Sequence, residues 1–294
     1  MSLKIKKLGL LLLFSLFVFN CSKKVTKDYD YSVFSKQVNI FGVTILATEE
    51  TDNIKVAHAA NILAQYLDND EDGAPDNPKV ISSLIEHNAT LVMFKTYESK
   101  KYKQFFGSSN WPDGQTTVKR AVQDLYDDET HPGGATTGVF DASLEEVLHL
   151  ITFGGYSNAY PNIFGSQKGS EISKAVDIAR GGYFNSIPDQ YPKNAWYTYN
   201  DETCEYGCQI HEYLYWAITS VLGAQEFSGR LDHIQHEWKL NTHQKVKETD
   251  KAFYTLYTND EYKLPKILPN GKYDKGIPSI LPFEGIEIDN DTQN

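Results

Sequence analysis

The chain has 294 residues, 23% of them charged and 40% hydrophobic, and a formal net charge of −11 at neutral pH. This acidic balance argues against nucleic acid as a partner, because nucleic-acid binding depends on cationic contacts to phosphate. It is compatible with an exported protein that binds cations.

The first residues have the pattern of an export signal. Lys4, Lys6 and Lys7 precede an apolar run at residues 8–19, which is too short to span a bilayer as a helix. Cys21 follows this run directly after Asn20, an arrangement that resembles the cleavage site of bacterial lipoproteins. The resemblance implies a lipoprotein signal peptide at residues 1–20, acylation of Cys21, a tether at 21–34, and anchoring in the bacterial cell envelope, at the outer membrane. An ordinary secretory signal cut elsewhere is the alternative.

Residues 35–294 are expected to form a single α+β domain, because neither a linker nor an internal repeat interrupts them. The predicted N-terminal part contains strands at 38–47 and 89–97, with helices at 53–67, 79–88 and 116–126. The C-terminal part is predicted to be mainly helical, with helices at 143–152, 170–180, 208–223 and 237–257. The proline- and glycine-rich tail at 263–283 is predicted to be irregular.

The acidic segment "DNDEDGAPDNPKV" at residues 68–80 has the spacing of a calcium-binding loop. Carboxylates alternate, a glycine stands at the sixth position of the loop, and predicted helices flank it, so that residues 53–88 resemble an EF-hand helix-loop-helix. The expected Ca²⁺ ligands are Asp68, Asp70, Asp72, the carbonyl oxygen of Ala74, and Asp76. Lys79 replaces the bidentate Glu of the last position, which predicts weak affinity and a structural role. A solvated acidic turn is the alternative.

The segment "EEVLH" at residues 145–149 differs by one residue from the His-Glu-x-x-His pattern of zinc peptidases. Glu145 and His149 lie at positions i and i+4 of a predicted helix and can therefore reach one metal ion. The motif resembles that of zincin metallopeptidases, in a degenerate form. The resemblance implies a zinc site with Glu145 and His149 as ligands and Glu146 as the general base.

A second helix offers the third ligand of such a site. The segment at 209–223 is apolar on almost all sides, which predicts a buried helix. Glu212 lies on it, and a buried charge needs a partner or a metal ion. In zincins with a glutamate third ligand, that ligand comes from a helix downstream of the motif, as Glu212 does. His211 is the alternative ligand, and pairing of Glu212 with Arg180 or Arg230 is the structural alternative.

A capped helix would also explain the acidic motif. Ser143 and Glu146 have the spacing of a capping box, and acidic residues in a first turn are favoured by the helix dipole. A glutamate that caps Ser143 would not be free to act as a base. The sequence leaves both interpretations open.

Three further segments contain candidate functional residues. Cys204 and Cys208, the only cysteines besides Cys21, are expected to form a local disulfide in an oxidising compartment. The segment at 231–238 contains His233, His236 and Glu237, but its pattern favours a surface helix over a metal site. The aromatic segment around residues 191–206 is typical either of core or of a cleft that binds a glycan or a peptide.

The sequence therefore predicts an exported, membrane-anchored, calcium-binding lipoprotein with a zincin-like hydrolase site for peptides or other amides. The cofactors would be Ca²⁺ and Zn²⁺, and the site could belong to a slow enzyme or an inactive relative. The alternatives are a non-catalytic surface lipoprotein that binds glycan or peptide through its aromatic segment, and a structural component of the envelope.

Overall fold

A computed structural model describes residues 29–108 and 120–285. The expected signal peptide at 1–20 and Cys21 lie outside these ranges. Within them, strands occur mainly in the N-terminal half and helices mostly in the C-terminal half, which confirms the α+β class. None of the helices in the described ranges is both long enough and apolar enough to cross a membrane.

The strands form one mixed sheet in the order β4-β3-β2-β1-β5. Their bounds are β1 (Lys36–Ile40), β2 (Val43–Ala47), β3 (Thr90–Phe94), β4 (Val122–Tyr126) and β5 (Leu281–Pro282). Strands β2, β3 and β4 are parallel, whereas β1 is antiparallel to both β2 and β5. Strand β4 is consequently an edge strand of the described sheet.

The single strand predicted at 38–47 is a hairpin. Phe41 and Gly42 form its two-residue turn with φ angles of 51° and 92°. A turn with two left-handed residues matches the twist of the flanking strands. The side chain of Asn39 also accepts a hydrogen bond from the Gly42 N–H at 2.9 Å.

The helix predicted at 116–126 is wrong over its described part. Residues Val122–Tyr126 form β4, which pairs with β3 along its whole length. Here the backbone hydrogen bonds to a neighbouring strand outweigh a helical spacing of apolar residues, because strand formation depends on tertiary context.

The described residues contain twelve α-helices. They are α1 (Asn53–Leu67), α2 (Pro78–Glu86), α3 (Lys100–Ser108), α4 (Gly134–Thr137), α5 (Ser143–Leu150), α6 (Ser157–Ala159), α7 (Pro161–Phe164), α8 (Glu171–Ala179), α9 (Tyr206–Val221), α10 (Arg230–Ile234), α11 (His243–Thr249) and α12 (Lys251–Tyr257). The helix predicted at 237–257 is therefore two shorter helices, and the side chains of Thr242 and Asp250 cap their N-termini.

The sheet separates two hydrophobic clusters. Successive strand residues point to opposite faces, so that Ile45 and Leu91 join the main core, whereas Leu46 and Val92 join a smaller aromatic cluster with Phe105 of α3. The main core contains α1, α5 and most of α9, and this packing fixes the two helices that carry the candidate metal ligands.

A π-helical turn, Ile151–Tyr156, continues α5. It contains Gly154 and Gly155, and a Cβ atom on Gly155 would lie 2.8 Å from Val80 of α2. The two glycines therefore let α2 pack closely against the turn. π turns inside helices are frequent at functional sites.

Candidate metal centre and cleft

The start of α5 is fixed by Asp141 and not by the capping box that the sequence suggested. The Ser143 hydroxyl donates to Asp141 Oδ1 at 2.7 Å, and the N-cap residue is Ala142, whose side chain cannot cap. The capping interpretation of Ser143 and Glu146 is therefore wrong. The Glu146 side chain is therefore free to contact groups other than Ser143.

Glu145, His149 and Glu212 converge on one point. Nε2 of His149 lies 3.7 Å from Oε1 of Glu145 and 3.5 Å from Oε1 of Glu212. One ligand atom of each residue lies within 4.8 Å of the other two, which is the arrangement that can hold a metal ion. Helix α5 supplies two of them and α9 the third, and the two helices pack directly against each other.

The donor set of this triad fits a divalent transition metal. One imidazole nitrogen and two carboxylate oxygens are ligands that zinc accepts, and a site with three protein ligands keeps a position open for water or substrate. The two carboxylate oxygens lie 3.7 and 3.5 Å from His149 Nε2, which is longer than a direct hydrogen bond. An ion placed between them would bring three mutually close donors to one centre.

Glu146 lies beside the triad and is held by the edge strand. Gln123 of β4 donates from Nε2 to Glu146 Oε2 at 2.6 Å. The other carboxylate oxygen has no hydrogen bond to the described part of the chain. One oxygen of Glu146 is thus fixed by the protein, and the second is available to a water or a substrate.

Burial and like charges shift the ionisation of this cluster. Burial and the neighbouring carboxylates raise the pKa of Glu146 well above its ordinary value, although His149 opposes the shift. Burial and the charges of neighbouring carboxylates raise the pKa of Glu212 to about 7. Burial alone would lower the pKa of His149, but the adjacent glutamates outweigh it and raise the value to about 10. A cation is therefore favoured at this point.

No arginine neutralises Glu212 within the described ranges. Arg180 donates to the Phe184 carbonyl oxygen, and Arg230 donates to Gln225, so the structural alternative for Glu212 is wrong. His211, the alternative ligand, lines the same cleft but does not belong to the converging group. It contacts Ser166 Oγ at 2.7 Å through Nε2 and Thr152 Oγ1 at 3.2 Å through Nδ1. Burial lowers its pKa to about 3, so it is neutral.

The triad lies in a cleft of about 640 Å³ between β4, α5 and α9. Besides the residues already described, its lining includes Tyr199, Trp216 and Glu237. A neighbouring cavity of about 540 Å³ shares Phe153 and Ser166 with the cleft. It is lined by Arg120, so it differs in charge from the metal cleft.

Two residues of the cleft are not predicted from the sequence. Gln123 is not among the predicted site residues, and the predicted position of Glu237 is a surface helix. Gln123 belongs to the helix predicted at 116–126. In the structure it lies in β4, where its side chain reaches Glu146. Glu237 follows the short helix α10, and its backbone carbonyl accepts a hydrogen bond from the Thr198 N–H at 2.7 Å. No sequence signal connects these residues with the motif helix. His233 and His236, by contrast, join none of the groups in the described chain that could hold a metal ion.

The acidic loop lies between α1 and α2. Carboxylate oxygens of Asp68, Asp70 and Asp72 approach within 4.8 Å of one another. Asp68 is fully buried and accepts hydrogen bonds from the Gly73 N–H at 2.8 Å and from the Tyr273 hydroxyl. Gly73 has a φ of 103°, as the sharp turn at the sixth position requires.

Asp76 points into the same loop. Its Oδ2 accepts a hydrogen bond from the Asn69 N–H at 2.7 Å, which closes the loop onto its first turn. Burial raises the pKa of Asp76, and the charges of Asp68, Asp70 and Asp72 add to the shift. The arrangement is crowded with negative charge and carries no neutralising lysine or arginine bond among its described contacts.

Cys204 and Cys208 form a disulfide at the N-terminus of α9. The two sulfurs also lie close to Glu212. As a disulfide they cannot serve as thiolate ligands. Of the aromatic segment, Tyr197 and Tyr206 are buried in the core, whereas Tyr199 lines the cleft.

The chain matches no protein-family model, and neither the curated proteins nor the solved structures give a match.

Proposed function

We propose that this protein is a metal-dependent hydrolase that acts on peptide or other amide bonds. The observation that carries the proposal is the convergence of Glu145, His149 and Glu212 within 4.8 Å, beside Glu146 and inside a cleft. Buried carboxylates gathered around one point favour a cation there, since a charge that is removed from water needs a partner.

Each residue has a role in this proposal. Glu145, His149 and Glu212 hold a divalent ion, for which zinc is the best match to the donor set. When bound, such an ion would supply Lewis-acid polarisation of the scissile carbonyl and of the attacking water. Glu146 accepts the proton of that water and delivers it to the leaving amine, while Gln123 keeps its carboxylate in place.

A peptide is the substrate class that the walls of the cleft favour. Val122 and Gln123 of the edge strand β4 line it. An edge strand presents unpaired backbone N–H and C=O groups, to which an extended peptide can add as a further strand. The cleft volume of about 640 Å³ is also within the range of small-ligand sites.

The export signal and the acidic loop belong to the same proposal. Residues 1–20 would direct export, and acylated Cys21 would anchor the domain at the cell envelope. The loop of Asp68, Asp70, Asp72, Ala74 and Asp76 would bind Ca²⁺ and stabilise the junction of α1, α2 and the C-terminal segment. Calcium has a structural role here, because the loop ligands would leave no coordination position for a substrate.

Metal analysis and hydrolysis test the proposal together. Protein purified without chelator, or reloaded with zinc, is expected to hold one equivalent and to cleave an unbiased peptide library. Loss of cleavage with 1,10-phenanthroline and recovery with zinc would support the assignment. A protein that binds no transition metal at micromolar concentration would contradict it.

A non-catalytic binding protein is the second candidate. Tyr199 and Trp216 line the cleft, and aromatic faces of this kind bind sugars and peptides. This candidate predicts that glycan or peptide binding persists after the metal is removed and after Glu146→Gln. Metal-dependent turnover would decide against it.

A further inference from the structure

The lining of the cleft around the metal triad is acidic. Four of its lining residues are glutamates, and none of the described lining residues is lysine or arginine. Glu145 and Glu212 belong to the triad, and Gln123 holds Glu146. The remaining carboxylate, Glu237, has no role in the metal site.

Glu237 is presented to the cleft from a fixed backbone. Its N–H donates to the Ile234 carbonyl oxygen at 2.9 Å, and its carbonyl oxygen accepts from the Thr198 N–H at 2.7 Å. The next residue, Trp238, is fully buried. The carboxylate therefore extends from a rigid position, as a residue that determines specificity must.

The Glu237 side chain lacks a strong partner of its own. Its Oε1 lies 3.5 Å from Nε2 of His236, whose side chain is 61% exposed, whereas that of Glu237 is only 21% exposed. Glu237 is not one of the residues whose ligand atoms converge on the metal point. The charge of Arg230 also acts on Glu237, but Arg230 donates its hydrogen bond to Gln225, so the half-buried carboxylate still favours a cationic ligand group.

The aromatic lining suits the same ligand. Trp216 and Tyr199 line the cleft together with Glu237. Ammonium and guanidinium groups are attracted to the faces of such rings. Arg230 already lies over Trp216, 5.6 Å from its ring centroid, so Tyr199 is the wall that a ligand cation would contact. A carboxylate with aromatic walls therefore combines two kinds of recognition for one positive charge.

We propose that Glu237 selects substrates that carry a positive charge next to the scissile bond, either a Lys or Arg side chain or a free α-amino group. This inference rests on the proposed function for the position of the scissile bond, but cation binding by Glu237 does not depend on turnover. The metal site and Glu237 thus act on different parts of the substrate.

The test compares wild-type, zinc-loaded protein with Glu237→Gln, which keeps the side-chain shape and removes the charge. Glu49→Gln is the matched control, because Glu49 is exposed and does not line the cleft. N-acetylated peptide amides with arginine are paired with the same peptides carrying neutral citrulline, and a neutral peptide is tested with a free and with an acetylated N-terminus. Binding is measured by calorimetry and turnover by mass spectrometry.

Wild-type protein is expected to prefer the charged member of one pair by roughly 10- to 100-fold, which corresponds to one charged hydrogen bond. Glu237→Gln should lose that preference and Glu49→Gln should keep it. The pair that shows the preference tells whether the cation is a side chain or an α-amino group. Zinc content should remain at one equivalent in all three proteins, and thermal melting should confirm that each is folded.

The outcomes separate this inference from the proposed function. Charge-selective binding that needs Glu237, without hydrolysis of any peptide, would contradict the hydrolase and leave the cation binding by Glu237 intact. Hydrolysis with equal rates on charged and neutral peptides, or a preference unaffected by Glu237→Gln, would overturn the inference alone. Loss of a second zinc ion in Glu237→Gln would also overturn it, because Glu237 would then be a metal ligand.

Discussion

His149 Nε2 lies 3.5 Å from Glu212 Oε1, although the two residues belong to separate helices, α5 and α9. The contact is made in the lining of the cleft, where the two side chains are only 9% and 17% exposed, and such burial makes each unpaired charge costly. Without a metal, a protonated His149 can neutralise part of the carboxylate charge. With a metal, the same three side chains become ligands, so ion binding must compete with a proton at His149.

Substitutions in the motif helix should separate metal binding from chemistry. His149→Ala removes the only nitrogen ligand of the triad, so zinc affinity should fall by more than the roughly 10- to 100-fold typical of outer-shell partners. Glu146→Gln should retain zinc and lower kcat by about 10²- to 10⁴-fold, the usual contribution of a general base. Zinc content and kcat measured on the same preparations check both. Normal turnover by Glu146→Gln would exclude Glu146 as the base.

Gln123→Met should lower kcat without loss of zinc. Methionine keeps the approximate shape of the side chain but removes the hydrogen bond to Glu146, which is worth about tenfold for a charged acceptor. KM should change little if Gln123 acts only through Glu146. Gln244→Met, on the exposed face of α11, is the control. A rise in KM with an unchanged kcat would show instead that Gln123 binds the substrate.

Calcium should raise the thermal stability of the protein. At a hundredfold excess over the dissociation constant, binding to the folded state adds about 2.7 kcal/mol to the free energy of unfolding. Asp70→Ala or Asp72→Ala should remove the effect, and Asp260→Ala, at an exposed site outside the loop, should not. Calorimetric melting with chelator and with millimolar Ca²⁺ measures the difference. Identical melting temperatures in the wild-type protein would contradict the calcium site.

The disulfide between Cys204 and Cys208 should contribute little to global stability. Only four positions separate the two cysteines, and closure of so short a loop contributes about 2 kcal/mol or less on the loop-entropy model. Reduction should therefore lower the melting temperature slightly and leave the protein folded. Thiol alkylation followed by mass spectrometry reports the oxidation state. Two free thiols in protein recovered from an oxidising compartment would contradict the pairing.

Asp141 should make stability depend on acid pH. Burial would raise its pKa, but the charge of His58, the 2.7 Å hydrogen bond to it and further hydrogen bonds lower the pKa below its ordinary value. A carboxyl group with a depressed pKa stabilises the fold above its unfolded value, and that stability is lost as the pH falls through the folded value. Asp141→Asn should lower the free energy of unfolding at pH 7 by about 1–3 kcal/mol and flatten its decrease below pH 4. Urea melts across this range measure both effects, and parallel curves for the two proteins would argue against this role.

Local patterns in the sequence determined much of this protein. The strand at 89–97 and the helices at 53–67 and 79–88 follow from the spacing of apolar residues. The α+β class follows from the order of these elements. The positions of Glu145 and His149 on one helix face follow from the helical repeat alone.

Other features depend on contacts between segments that are distant in sequence. Gln123 has its role because residues 122–126 pair with β3, and no local preference of the segment predicts that pairing. Glu146 is free of Ser143 because Asp141 accepts hydrogen bonds from both the Ser143 N–H and the Ser143 hydroxyl. Only the packing of α9 against α5 brings Glu212 to His149, and only the chain path after α10 brings Glu237 to the same cleft. Sequence periodicity reports the face of one element, whereas a site built from several elements depends on how their buried faces pack together.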